Sequence, residues 1–291
     1  MNISYIPSAA TYALFVVVLV GGCWGNIAEE ETYRFNGHDI TAYWGSDHFN
    51  ISNQGTEVEL SMDRLHAGAG FTTKRSYGSG FFQMRIKAPR RNSAGVVTAF
   101  YLTSVGEAHD ELDFEILGNE ESRPIRLNTN IFIDGYGNRE KTVHLSWFDP
   151  TADFHNYTLL WNHRQIVFFV DEVPVRVMRK VDGKSYPATR PMWLQASLWN
   201  GEPWAMDTDQ KKINWAYGPF RAYFKDFKVD GCPVDGEGSD LASCSSPEYW
   251  WNAERYWKLD EAQQMAYEHV LEHYQTADYC IDRPHPPECG L

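Results

Sequence analysis

The chain has 291 residues, a net charge of −13 at neutral pH, 43% hydrophobic and 22% charged side chains. That length accommodates one large all-β domain or two smaller ones, and the composition supports a substantial core and excludes global disorder. The acidic balance argues against nucleic acid and anionic membranes as partners and fits a neutral polysaccharide.

Met1 to Gly25 carry no charged side chain, and the apolar run from Ala13 to Val20 is too short to span a bilayer. Residues 1–25 are therefore expected to be a cleaved secretory signal, with Glu29-Glu30-Glu31 opening the mature chain. Sequons at Asn50-Ile51-Ser52 and Asn156-Tyr157-Thr158 agree with secretion and make Asn50 and Asn156 candidate glycan acceptors.

From about residue 32 to 229 the chain reads as short alternating runs broken by turn residues. Phe82-Met84-Ile86, Val96-Thr98-Phe100-Leu102 and Ile166-Phe168-Val170 are examples, punctuated by Gly78, Gly80, Pro89, Gly106, Gly135, Pro150 and Gly183. Turn signals roughly every ten residues predict a β-sandwich. Tyr157–Trp161 and Ile166–Val170 predict a hairpin closed by Asn162-His163-Arg164-Gln165.

The most informative segment is His109-Asp110-Glu111-Leu112-Asp113-Phe114-Glu115. Period two puts Glu111, Asp113 and Glu115 on one strand face and Leu112, Phe114 and Ile116 on the other, towards a core. An ordinary solvated face would mix Thr, Ser and Lys, because three like charges in a row destabilise a strand that does not use them. Two carboxylates in different protonation states are what glycosidic bond cleavage requires, and a third between them can push their pKa values apart. Strand positions four apart lie about 13 Å apart at roughly 3.3 Å per residue. The sheet must therefore curve if the outer two side chains are to converge.

Further on, Trp193, Gln195, Ser197 and Trp199 share one strand face, and Met192, Leu194, Ala196 and Leu198 the other. Aromatic and polar side chains alternating on one face suit a cleft for sugar rings. The aromatic content of 15%, with 11 Trp and 16 Tyr, exceeds what packing needs and points the same way.

A turn-rich polar stretch at Val229-Asp230-Gly231-Cys232-Pro233 and Asp235–Asp240 marks a boundary. Beyond it, Asp260-Glu261-Ala262-Gln263 predicts a helix N-cap. Ala262, Met265, Ala266, His269, Val270 and Tyr274 follow helical spacing, so the helix should fold back onto the sandwich. The organisation expected is a signal at 1–25, a β-jelly-roll catalytic domain at 26–230 and a C-terminal extension at 231–291. Cys232, Cys244, Cys280 and Cys289 remain after the signal, an even count that implies two disulfides with three possible pairings. No spacing among them is C-x-x-C, so no metal site is expected.

The string HDELDFEILGN resembles the active-site strand of glycoside hydrolase family 16, in the form carried by plant xyloglucan endotransglucosylase/hydrolases. The resemblance implies Glu111 as nucleophile, Asp113 as assisting residue and Glu115 as acid/base. Asn128-Thr129-Asn130 and Asn138-Arg139-Glu140 resemble substrate-contacting blocks, and Ser197-Leu198-Trp199-Asn200 with Pro203-Trp204-Ala205 resembles the block beside the cleavage point. Tyr279-Cys280-Ile281-Asp282-Arg283 resembles a C-terminal signature whose Arg reaches the acceptor side of the cleft. The resemblance also implies the local pairing Cys232–Cys244 and Cys280–Cys289. Two departures stand out. Thr208 and Asp209 occupy positions where most relatives have glycines, and Asn119-Glu120-Glu121 lacks the sequon they carry after the catalytic strand.

The reading is a curved all-β jelly-roll sandwich with a docked, disulfide-tied extension. It acts with retention on the β-1,4-glucan backbone of xyloglucan-type wall polysaccharide and passes the chain to an acceptor sugar. It is expected to be a secreted monomer without metal or organic cofactor. An endo-glucanase on xyloglucan or mixed-linkage glucan is the rival enzyme. A polysaccharide-binding lectin is the rival of another class, but it would be expected to have lost at least one of the three acids.

Overall fold

Strand follows strand because the apolar positions recur at period two. A computed structural model describes residues 35, 39–206, 212–234, 241–282 and 289. The expected signal segment, Thr208, Asp209 and Arg283 lie outside the described residues. In chain order the strands are β1 (Ile40–Trp44), β2 (Phe49–Ser52), β3 (Glu57–Met62), β4 (Gly68–Lys87), β5 (Val96–Thr103), β6 (Glu111–Leu117) and β7 (Ile125–Phe132). They continue with β8 (Lys141–Leu145), β9 (His155–Trp161), β10 (Gln165–Val170), β11 (Val173–Arg179), β12 (Met192–Asn200) and β13 (Phe220–Val234). Helix α1 (Glu261–His273), strand β14 (Gln275–Asp278) and the helical turn α2 (Tyr279–Asp282) close the described chain. All the pairings are antiparallel.

One ladder folds into two layers because β4, at 20 residues, serves both. Its first half pairs with β1 and β12, and its second half with β9 and β13. The first layer runs β1–β4–β12–β5–β6–β7–β8–β14, and the second β11–β10–β9–β4–β13–β3–β2. Between them lies the core. Phe114 of β6 meets Tyr157 of β9 at 5.6 Å and Phe168 of β10 at 5.0 Å, both edge-on. Such pairs add about 0.5–1.5 kcal/mol each beyond the area they bury. With Leu112 and Phe114 fully buried, and Ile116 almost so, the acids of β6 are left on the opposite face. The predicted hairpin forms, Trp161 pairing with Ile166, and Asn162 Oδ1 accepts the amides of Arg164 and Gln165 to close it.

Strand β13 runs through the expected boundary at residues 230 and 231, and the extension docks at once. Cys232 is bonded to Cys244, and a Cβ on Gly78 of β4 would come within 2.7 Å of Cys244 Sγ. Ser79 Oγ donates to the Cys244 carbonyl, Trp251 Nε1 donates to Ser79 Oγ, and Asn162 Nδ2 donates to the Trp251 carbonyl. A small apolar cluster of Leu160, Val167, Phe169, Trp251 and Leu259 forms on the outer side of the second layer.

The α1 capping box is present, with Asp260 accepting from the Gln263 amide and Gln263 Oε1 from that of Asp260. The expected packing face needs correction. Val270 is buried and Ala266, Tyr267 and Tyr274 are half-buried, but Met265 is 60% exposed and Ala262 and His269 face solvent. The helix meets a sheet edge at β11 rather than a broad face, so a narrower stripe suffices. The chain then adds β14 beside β8 on the first layer, and Cys280 bonds Cys289 just beyond it. No helix among the described residues is long and apolar enough to cross a membrane.

Candidate active site

Registers across the first layer assemble the site in rows. Trp193, Thr103, Glu111 and Phe132 form one row, and Gln195, Tyr101, Asp113 and Asn130 the next. Ser197, Ala99, Glu115, Asn128 and Thr142 form the third. Every member faces away from the core because its strand neighbours, such as Leu194, Phe100, Phe114 and Ile131, face into it. Period two on five adjacent strands thus builds one polar and aromatic cleft face from residues spread over roughly a hundred positions.

Burial sets the electrostatics. Asp113 is 4% exposed and accepts the Asn130 amide at 2.7 Å through Oδ1. Its carboxyl is pushed well above the usual range, first by desolvation and then by the charges of Glu115 and Glu111. Glu111 is raised by desolvation, opposed by hydrogen bonds with Thr103 and Asp113 and by His109. Desolvation likewise pushes Glu115 up to about 7, the Asn128 hydrogen bond opposing it and Glu111 and Glu140 reinforcing it. Asn128 Nδ2 donates to Glu115 Oε2 at 2.9 Å. A group poised near 7 can give up a proton in one step and take it back in the next.

Of the other sequence-predicted residues, Asn128 and Asn130 stand beside the acids. Asn130 Oδ1 also accepts the amides of Ile131 and Arg139. Thr129 does not face the cleft. It is 3% exposed on the core side of β7, where its Oγ1 donates to the Lys141 carbonyl and accepts from Arg176. Alternation on the strand forces this, since Asn128 and Asn130 take the cleft face. Asn138 adopts a left-handed backbone, φ 63°, in the loop before Glu140. The Arg139 guanidinium donates to the carbonyls of Tyr136, Gly137 and Ile131, so it closes that loop.

Trp199 and Trp204 stack with centroids 6.0 Å apart and planes 8° from parallel, and Trp204 is 50% exposed. Arg126 Nη2 holds the Ala205 carbonyl at 3.0 Å beneath this loop. A cavity of about 300 Å³ opens beside Asn128, lined also by Arg126, Glu140, Thr142, Trp204 and Tyr279. The extension therefore contributes to the cleft wall through Tyr279, whose amide donates to the Glu140 carbonyl.

Tyr101 and Arg176 are not legible as site residues in the sequence. Tyr101 stands in the Asp113 row, its hydroxyl 2.6 Å from that of Tyr43 on β1. Arg176 of β11, 1% exposed, reaches across the core and donates to the Thr129 carbonyl at 2.6 Å, and its charge lowers the Asp113 pKa. Its guanidinium lies over Phe168 and Tyr279, linking both layers and the extension. Spacing along β11 alone carries no signal for it, because Val-Pro-Val-Arg-Val reads as an ordinary strand.

Residues 36–217 match the family model described as glycosyl hydrolases family 16. The chain is 45% identical over 293 residues to xyloglucan endotransglucosylase/hydrolase protein 3 of Arabidopsis thaliana, covering 99% of this chain and 100% of that protein. To protein 2 of the same series and organism it is 53% identical over 252 residues, covering 84% and 85%. Among solved structures, the Bacillus licheniformis β-glucanase superposes with a TM-score of 0.54 at 20% identity, covering 70% of this chain and 98% of that one, a likeness of fold. The jelly-roll sandwich, the acid-bearing β6 and these similarities together place the chain in glycosyl hydrolases family 16, among the plant xyloglucan endotransglucosylase/hydrolases.

Proposed function

We propose that this chain is a retaining endo-transglucosylase that cuts the β-1,4-glucan backbone of xyloglucan and transfers the severed chain to an acceptor sugar. Glu111 attacks the anomeric carbon, and the bond to the departing oxygen breaks as Glu115 gives that oxygen its proton. The glycosyl ester on Glu111 is then displaced by an acceptor hydroxyl whose proton returns to Glu115. Asp113, its carboxyl pushed well above the usual range by burial and by the charges of Glu115 and Glu111, hydrogen-bonds Glu111.

The observation that carries this reading is the protonation arrangement at Glu115. Asn128 Nδ2 can only donate, so Oε2 must accept, and the carboxyl proton belongs on Oε1. The cavity beside Asn128, walled by Trp204, Arg126 and Tyr279, supports an acceptor chain held next to that carboxyl. Arg283 is proposed as a further acceptor-binding residue.

The disulfides fit an oxidising compartment, which supports secretion to the cell wall with residues 1–25 as signal, 26–230 as catalytic domain and 231–291 as extension. Asn50 is exposed on β2 and open to a glycan, and Asn156 is the second proposed acceptor. The enzyme is proposed to act as a monomer.

The test is product analysis on xyloglucan with and without labelled xyloglucan oligosaccharide. Labelled polymer should form faster than reducing ends appear without acceptor. Reducing ends accumulating equally fast, with no label in polymer, would make the protein a hydrolase.

A further inference from the structure

We propose that His48, Asp63 and His66 form a binding site for a borderline divalent transition-metal ion, of which Zn²⁺ is the representative. The three residues come from two turns. His48 ends the short helical turn Ser46–His48 that follows β1. Asp63 and His66 close the turn between β3 and β4, where each accepts the other's backbone amide. Among the described residues they form a metal-competent group, with one imidazole nitrogen from each histidine and one Asp63 oxygen within 4.8 Å of one another.

The chemistry of this set is that of a three-ligand zinc site with water as the fourth ligand. His66 Nδ1 and Asp63 Oδ1 lie 3.0 Å apart. Ligand atoms around a tetrahedral ion at about 2.0–2.1 Å sit roughly 3.3 Å apart, so an ion can replace the proton those two atoms share. The imidazole rings of His48 and His66 are in contact, with centroids 4.4 Å apart. Ligand atoms within 4.8 Å of one another close to tetrahedral spacing by a shift of at most about 1.5 Å, within reach of an exposed His66 on a turn.

Both outer partners that hold ligands in place are present. His48 Nδ1 lies 3.0 Å from Ser61 Oγ, which fixes its ring and leaves the other nitrogen to bind. Asp63 Oδ1 accepts the amides of Leu65 and His66 at 2.8 and 2.9 Å, which orients the carboxylate. Imidazole and carboxylate together favour Zn²⁺, Cu²⁺ or Ni²⁺ over Mg²⁺ and Ca²⁺, which take oxygen ligands. A bound ion would tie the turn after β1 to the turn before β4. Strand β1 also carries Tyr43, whose hydroxyl bonds Tyr101 in the cleft.

Isothermal titration of the metal-stripped full-length enzyme with Zn²⁺ at pH 7.5 tests this. One equivalent should bind, with Mg²⁺ and Ca²⁺ silent, and binding should weaken at pH 5.5 as protons compete for the ligands. His48→Gln and His66→Gln should each weaken it about tenfold or more while transfer activity shows the variants folded. The double variant His269→Gln/His273→Gln is the control, because that pair on α1 also brings two rings to 4.1 Å. No saturable uptake by the wild type, unchanged affinity in His66→Gln, or loss confined to the α1 double variant would overturn the site.

Discussion

Asn128 links Glu115 to Thr142: its Nδ2 donates to Glu115 Oε2 at 2.9 Å, and its Oδ1 accepts from Thr142 Oγ1, also at 2.9 Å. With Asn128 donating to Oε2, Glu115 holds its own proton on the other oxygen. Thr142, two strands from β6, reaches Glu115 through Asn128 and also lines the cavity beside it.

The first prediction concerns pH. Activity requires Glu115 protonated while Glu111 is ionised, so kcat/KM should fall as pH rises through about 7, where Glu115 titrates. The Asn128 bond lowers that pKa. Asn128→Ala should therefore move the alkaline limb to higher pH, and a limb that stays put or moves down would separate Asn128 from Glu115.

Stability carries the opposite sign of the same fact. Glu115 rises from an ordinary 4.5 to about 7 in the folded protein. Folding is favoured by its proton below pH 4.5 and loses that support as pH climbs through 7. The loss is on the order of 3 kcal/mol. Glu115→Gln, whose Oε1 can still accept from Asn128, should raise Tm at pH 8, leave it nearly unchanged at pH 4, and abolish transfer. Thermal melts at the two pH values check the crossover.

Arg176 acts on Asp113 as a buried counter-charge that reaches it from the other layer. Arg176→Met would strip the Thr129 carbonyl of a buried donor and cost about 1–3 kcal/mol. It would also remove the charge that holds the Asp113 pKa down. A merely structural residue would lower Tm and leave the pH profile alone. The expectation here is a lower Tm together with an altered profile of kcat/KM against pH.

Much of this architecture was legible because its causes are local. The alternation in β6 and β12, the Asn162 turn between β9 and β10, and the Asp260–Gln263 box each sit within a few residues of one another. What could not be read depends on partners far along the chain. Gln-Thr-Ala-Asp in β14 has no apolar alternation and is a strand only because β8 offers it an edge. The 20 residues of β4 serve two layers because different strands pair with its two halves. Asn128-Thr129-Asn130 reads as one block in the sequence, whereas one-residue alternation sends Thr129 to Arg176. Arg176 itself is visible only once β11 and β7 face each other across the core.

The extension offers a fourth test. Replacing Cys280 and Cys289 by Ser releases a loop closed over 9 positions. In the chain-entropy account such a loop contributes roughly 3 kcal/mol. Hydrogen exchange should quicken in β14 and α1 while β5, β6 and β12 stay protected. Uniform loss of protection would show that the extension and the sandwich unfold as one.

The roles of the two outer acids admit the most direct measurement. Glu115→Ala and Glu111→Ala are assayed on xyloglucan and on a xyloglucan oligosaccharide carrying an aryl leaving group that departs without a proton. General acid catalysis is worth about 10²–10⁴-fold. Glu115→Ala should lose that factor on the polysaccharide and retain much of its glycosylation rate on the aryl donor. Glu111→Ala should be inactive on both. Equal loss in the two variants on the aryl donor, or activity of Glu111→Ala on it, would contradict the assignment of nucleophile and acid.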